Sequence, residues 1–255
     1  YFTNARTQGG TRKIASIFYN LNVGDATKWL YAPDLNNQAY NDRTSENVSL
    51  RLTWQASPRN KIMGFWDEQA NCRPCTGLTT GITDPARVAP EARGVGQTKP
   101  LRVPQVSWSS PFTNKLLLDA GFGGIYYGWG NFERDSNPTH DLISVVEQCA
   151  AGFAANGGIP GLVYRSQDYA NNRAGSYPWR ASASYVTGRQ SIKVGYQGNY
   201  MSDVRTWYVN SQNLRYQLNN GIPNLITEYI SPWVNNTYGA WHAVFVQDQY
   251  TAGRM

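Results

Sequence analysis

The residues that could do chemistry in this chain are few and scattered. Cys72-Arg73-Pro74-Cys75 is a C-x2-C pair, the spacing of half a metal site, of a redox couple or of a local disulfide. A structural zinc site needs four ligands, and only Cys149, His140 and His242 remain to complete one. A thioredoxin-like couple needs a strand-to-helix setting, which these cysteines lack. The reading that fits is a small loop disulfide between Cys72 and Cys75 in an oxidising compartment, with Cys149 left unassigned. Asp67 and Glu68 are neighbours, so in a strand they point to opposite faces and cannot work as paired carboxylates on one substrate. Asp135-x-Asn137-x-Thr139-x-Asp141 spaces oxygens like the start of a calcium loop, but His140 stands where the turn needs glycine and Pro138 intrudes. Gly121-x-Gly123-Gly124 has no helix after it, so it marks close packing or a bulge rather than a phosphate loop. With no Gly-x-Ser-x-Gly and two well-separated histidines, a hydrolase triad has no support. We therefore expect no enzyme, no cofactor and no bound metal.

The elements that hold these residues read as strands. In residues 48–69, Val48, Leu50, Leu52 and Trp54 fall on one face and Ser49, Arg51 and Thr53 on the other. Ser57-Pro58-Arg59-Asn60 is turn chemistry: Pro58 presets φ and Asn60 tolerates a left-handed backbone. The return strand alternates Ile62, Gly64 and Trp66 with Met63, Phe65 and Asp67, two of which are awkwardly apolar for a polar face. A second hairpin turns near 111–115 into a strand over 116–126. A third pairs Ala181, Ala183 and Tyr185 with Ile192, Val194 and Tyr196 across Thr187-Gly188-Arg189-Gln190. That strand is expected to run on through Trp207 and Tyr208 to Tyr216. After a turn at 219–223 the chain returns from Leu225, is interrupted near Ser231-Pro232, and resumes over 238–250. Residues 20–47, 71–99 and 129–176 read as long loops.

Composition bounds the class. The chain has 17 Tyr, 9 Trp and 8 Phe yet only 16% charged residues, and its mean hydropathy is −0.52. This suits strands and long polar loops better than helices. No run of apolar residues is long enough for a transmembrane helix, which leaves a membrane β-barrel open because its strands are only half apolar. The net charge of +6 comes from scattered Lys and Arg with no basic run, so it reads as a solvated surface or a pore lining and not as a nucleic-acid footprint. The chain opens at Tyr1 without a charged-then-apolar leader and stops at Met255 as a turn finishes, so a piece of a longer protein is expected.

Two regularities fix the fold class. Short turns near 58, 112, 188 and 252 alternate with long connections, as in an up-and-down sheet with all its tight turns at one end. An aromatic precedes each short turn: Trp54, Trp108, Tyr185 and Tyr250. Aromatics at constant depth from one rim are what an interfacial girdle requires. The expected fold is all-β: about eight antiparallel strands forming part of the wall of a larger transmembrane barrel, with residues 1–255 in that one domain.

Residues 49–55 and 60–69, Tyr185-Val186-Thr187-Gly188, residues 193–198 and Phe245-Val246-Gln247-Asp248-Gln249-Tyr250 resemble the barrel of TonB-dependent outer-membrane receptors. The likeness is greatest to the Oar-like subgroup with a carboxypeptidase-regulatory-like domain. It implies a 22-stranded barrel filled by an N-terminal plug, a TonB box, and active import of a large or scarce ligand across the outer membrane of a Gram-negative-type bacterium. None of the plug, the TonB box or the regulatory-like domain is recognisable in these residues. The implied partners are outer-membrane lipid, TonB through the plug and an unknown extracellular ligand, with no nucleic acid. On this resemblance Arg51, Asp119, Arg180, Ser182 and Lys193 face the lumen. Trp129, Tyr164, Tyr169, Trp207 and Tyr208 either contact ligand or pack the loops. Two other readings remain at this level: a non-transporting adhesin or surface-organising barrel, and a soluble β-sandwich that binds carbohydrate.

Overall fold

In the computed structural model, residues 2–71, 87–133, 140–149 and 157–252 are described, the side chains of 3–16, 41–43 and 99 excepted. The strands are β1 Phe2–Asn20, β2 Pro33–Ser57, β3 Asn60–Asn71, β4 Val95–Pro111, β5 Leu116–Gly123, β6 Ile125–Phe132, β7 Ser144–Glu147, β8 Leu162–Tyr164, β9 Tyr169–Thr187, β10 Gln190–Tyr208, β11 Leu214–Asn219, β12 Ile222–Glu228 and β13 Trp233–Tyr250. One large sheet runs β1-β2-β3-β4-β5-β9-β10-β13, with β6 pairing β4 and β9. All its pairings are antiparallel. Because β6 continues β5 end to end, the sheet has eight strand positions, and β1 and β13 are not paired with each other.

The break between β5 and β6 has a chemical cause. The Gly124 N–H donates to the Pro104 carbonyl at 2.8 Å, and a Cβ on Gly123 would rest 3.6 Å from Pro178. Proline has no N–H, so the ladder loses a donor on each side of this glycine pair. The glycines mark close backbone packing, with no bulge between β5 and β6: the register to β4 is the same at Gln105↔Gly123 and at Arg102↔Tyr126.

The short connections lie at one end. Pro58-Arg59 and Gly188-Arg189 close two-residue turns, and Gly188 takes the left-handed backbone (φ 56°) that such a turn needs. Asn60, whose type tolerates a left-handed backbone, does not adopt one; its side chain serves the turn by donating to Ser57 Oγ at 2.7 Å and accepting from Trp108 Nε1 at 2.9 Å.

The long connections differ from the sequence reading. β2 begins at Pro33, since residues 33–47 extend the pairing with β1. β9 begins at Tyr169, well inside the loop expected over 129–176. β10 stops at Tyr208 and does not continue to Tyr216. Asn210 breaks it, its Oδ1 accepting from the Gln212 N–H at 3.2 Å and its Nδ2 donating to the Leu214 carbonyl at 2.8 Å. These connections carry a second sheet of four strands, ordered β12-β11-β7-β8, in which β7 pairs β11 in parallel.

That second sheet and the connections around it form a cap over the far ends of β1 and β2, and a buried core forms within it. Ile17 and Ala39, from the far ends of β1 and β2, pack with Tyr31, Ala89, Val145, Leu162, Tyr164 and Leu218. The large sheet behaves differently. Val194, Val244 and Val246 are 43%, 79% and 70% exposed, so among the described residues no second sheet covers its apolar face. A soluble sandwich would bury that face against a partner sheet; this architecture does not.

Candidate functional site

Register decides which residues share a face of the large sheet, because directly paired residues project the same way. Leu52, Gly64 and Val106 form one row across β2, β3 and β4, continued by Phe122 and Trp179. Ala183, Val194 and Val246 form another across β9, β10 and β13. Trp54 pairs with Ile62 and Ile62 with Trp108; Tyr185 pairs with Leu116 and Ile192. Tyr250 pairs with Gln190, and all four aromatics lie on the apolar face close to the short turns. Trp108 reaches the turn itself through its bond to Asn60, so an apolar body ends in a polar contact.

The opposite face is polar. Arg51 pairs with Phe65, Asp119 with Ser182, Arg180 with Gly121 and Gln197, and Lys193 with Ser184 and Gln247. The five candidate polar residues thus share one face, without converging on one point. Arg51 and Arg180 border the same hollow of about 730 Å³, together with Phe65, Gln105, Gln197 and Trp241. Asp119, Ser182 and Lys193 lie outside it. A second hollow of about 470 Å³, lined by Thr98, Leu101 and Tyr127 among others, shares Ile125 and Ser176 with the first. The two therefore form one trough that leads toward the cap. Met63 and Phe65, awkward as polar-face residues, line the first hollow. Gln105, Gln197 and Trp241 were missed by sequence reasoning, and only their period-two position could have flagged them.

Asp67 and Glu68 part to opposite faces. Asp67 is buried and accepts from Ser49 Oγ, from Asn47 Nδ2 at 2.9 Å and from Gln69 Nε2 at 2.8 Å, while Glu68 pairs with Arg102 at 3.0 Å. The histidines are also separate. His242 Nδ1 shares a hydrogen bond with Tyr196 Oη at 2.6 Å, and His140 meets Glu133 at 3.1 Å. Cys72, Cys75 and residues 135–139 of the calcium-like run lie outside the described residues, whereas Asp141 accepts from Ser211 Oγ at 2.8 Å. Cys149 is buried with its Sγ 3.8 Å from the Ile159 carbonyl oxygen.

The loop aromatics resolve differently from one another. Tyr164 and Tyr169 are each 1% exposed, and Tyr164 Oη donates to the Trp29 carbonyl at 2.8 Å, so these two pack the cap and cannot meet a ligand. Trp129 belongs to β6 and stacks on Tyr127 at 4.6 Å; Trp207 belongs to β10 and meets Trp233 edge-on. Tyr208 donates to Glu133 at 2.9 Å.

Charged groups, unread in the sequence, organise the cap. Glu147 is buried and accepts from the N–H groups of Cys149, Asn220 and Gly221 at 3.0, 2.9 and 3.0 Å. It thereby pins the turn where Asn220 and Gly221 both have positive φ. Arg165, itself left-handed at φ 70°, lies over the Trp29 ring and donates to the Asp25 and Lys28 carbonyls at 3.2 and 3.3 Å. Arg215 ties the cap to the foot of β9 through Asp168 at 2.5 Å. Glu91, in the short 3-10 helix Pro90–Ala92, accepts from the Arg165 N–H at 3.4 Å. Burial pushes its carboxyl up to about 6, against the lowering effect of the hydrogen bonds it accepts.

A raised carboxyl contributes stability fully below about pH 4.5, and that contribution is lost as pH rises through about 6. The loss approaches about 2 kcal/mol at neutral pH, from roughly 1.4 kcal/mol per pKa unit. Glu91→Gln is therefore expected to flatten the dependence of cap protection between pH 4.5 and 7.5, measured by amide exchange at Arg165. An unchanged pH profile would contradict the assignment.

No family model matches the sequence, and no curated protein does. Among solved structures the chain is similar to the outer membrane transporter YddB from Escherichia coli, with a TM-score of 0.57 at 13% identity over 98% of this chain and 29% of that one. At that identity the likeness is one of fold. The fold is an open antiparallel wall of the kind that forms outer-membrane barrels, and the chain spans less than a third of the transporter it matches.

Proposed function

We propose that this chain is part of the barrel of a TonB-dependent outer-membrane transporter, of the Oar-like type its motifs resemble, importing a large or scarce ligand. The observation that carries the reading is the two-sidedness of the large sheet. One face is apolar and uncovered, with aromatics near the short turns; the other is polar and bears a continuous trough leading toward the cap. A wall between lipid and an aqueous lumen requires that division. The apolar face meets lipid, the trough faces the lumen, and the cap lies on the extracellular side, because outer-membrane barrels carry their long connections there. Ligand is captured at the cap side and passes along the polar face once TonB, acting through a plug, rearranges the lumen. The proposal includes no enzymatic step.

The test uses the complete protein. It should fractionate with the outer membrane, show heat-modifiable electrophoretic mobility, and support uptake of at least one scarce nutrient only when TonB is present. An outer-membrane protein whose deletion alters surface attachment but leaves uptake unchanged over a broad nutrient panel would be an adhesin-type barrel instead. Recovery in a soluble fraction would defeat both readings.

A further inference from the structure

We infer that the smaller hollow on the polar face binds a neutral saccharide of disaccharide length. The inference rests on the reading that this face lines the lumen. Among the described residues that line this hollow, none carries a charge. An ionic solute would give up water there without gaining a counter-charge from the lining, a cost that a neutral solute escapes. Asp67, two residues from Gln69, is buried and already held by Asn47, Ser49 and Gln69.

Register builds the site as two rows. Tyr127 on β6, Leu101 on β4 and Gln69 on β3 are paired across the sheet, and Trp129, Thr98 and Asn71 form the next row, farther from the short turns. Directly paired residues project to the same side, so each row runs from a ring to an amide. Trp129 stacks on Tyr127 with centroids 4.6 Å apart and an interplanar angle of 15°, and of the two rings only Tyr127 lines the hollow. Trp129 therefore backs the Tyr127 ring and leaves its other face to the hollow. Beside that ring, β9 contributes the small residues Ala174 and Ser176, which keep the face open.

The amides at the other end of the rows are oriented by their neighbours. Gln69 Nε2 donates to Asp67 at 2.8 Å, and Asn71 Oδ1 accepts from Ser45 Oγ at 2.7 Å. A side-chain amide has two N–H donors and an acceptor oxygen, so both keep hydrogen-bonding capacity for a ligand. A sugar ring offers the matching pair of surfaces: a C–H face that packs on an aromatic ring, and edge hydroxyls that bond to amides. A wholly apolar ring would leave the facing amides without a partner. A peptide added as a strand has no edge to pair with, because β3, β4 and β6 are each paired on both sides. The row from Tyr127 to Gln69 crosses two inter-strand steps, about 10 Å, and the hollow encloses about 470 Å³. Both dimensions fit a disaccharide.

The probes are cellobiose, maltose, lactose and N,N′-diacetylchitobiose, each beside the uronate formed by oxidising its primary alcohol. Binding to the complete protein, purified from outer membranes in a detergent without a sugar headgroup, is detected by saturation-transfer NMR and titrated by calorimetry. At least one neutral disaccharide should bind, and its uronate should bind at least about fivefold more weakly. Tyr127→Ala should weaken binding roughly fivefold to tenfold, whereas Tyr127→Phe, which keeps the ring, should change it less than about twofold. Gln69→Leu should weaken it roughly threefold to fivefold. Trp233→Ala removes an exposed aromatic on the same face but outside the hollow, and should change it less than about twofold. Absence of binding by all four disaccharides, or a uronate that binds as well as its neutral parent, would overturn the inference. So would binding that is unaffected by Tyr127→Ala or Gln69→Leu, lost equally in Tyr127→Phe, or weakened as much by Trp233→Ala. If any of these occurs in a protein with normal outer-membrane fractionation and heat-modifiable mobility, the barrel reading stands and this inference alone fails. A protein lacking those two properties fails the barrel reading and this inference with it.

Discussion

In a Glu147→Ala variant of the complete protein, the Asn220 and Gly221 amides are expected to lose roughly 3–5 kcal/mol of protection against hydrogen exchange. Glu147 is a buried carboxylate that accepts from three backbone N–H groups, and removing it strands all three at once. Two of those donors sit in the β11–β12 turn, so the loss falls first on that hairpin and on its parallel pairing with β7. Glu147→Gln keeps one acceptor oxygen and should lose about half as much. Strands in the large sheet should be unaffected, because their hydrogen bonds do not pass through this residue. If the turn amides stay protected in the alanine variant, Glu147 is not what holds the hairpin.

Val194→Arg is expected to destabilise the barrel by roughly 1–2 kcal/mol, the cost of an arginine on the proposed lipid face between the girdle and the midplane. Val194 lies in the apolar row with Ala183 and Val246, two residues beyond the row of Tyr185 and Ile192. The adjacent Lys193 points the other way, so Lys193→Ala should cost little. Urea unfolding in lipid vesicles separates the two. Equal tolerance at both positions would mean that the sheet does not divide lipid from water.

The sequence was legible wherever a strand has two chemically different faces. Leu50, Leu52 and Trp54 against Ser49, Arg51 and Thr53 revealed β2 from residue 48 onward, and Ala181 to Tyr185 against Ile192 to Tyr196 revealed the β9–β10 hairpin. It was not legible where neither face carries that contrast. Residues 33–47 are Asn- and Asp-rich, yet they form strand because β1 supplies the ladder, a tertiary cause with no local trace. The cap was invisible for a similar reason. β7 and β8 span four and three residues, too short for periodicity, and β7 pairs with β11 about seventy residues away. Tyr164 and Tyr169 carry amphipathic side chains that suit a ligand or a core equally well, and only packing shows that they serve the core. Glu91, Glu147 and Arg165 belong to no motif. Their importance comes from burial, which a sequence does not display.

The glycine pair between Pro104 and Pro178 gives the wall a mechanical property. Each ladder hydrogen bond contributes about 0.5–1.5 kcal/mol, and the two prolines withhold one on either side of Gly123-Gly124. Bending stiffness in a sheet comes from that ladder, so curvature is cheapest along this line. The weakened level runs from Pro104 on β4 to Pro178 on β9, beside Ile125 and Ser176, which line both hollows. The wall can therefore flex at that level while β4 and β9, which carry the two prolines, run through it unbroken.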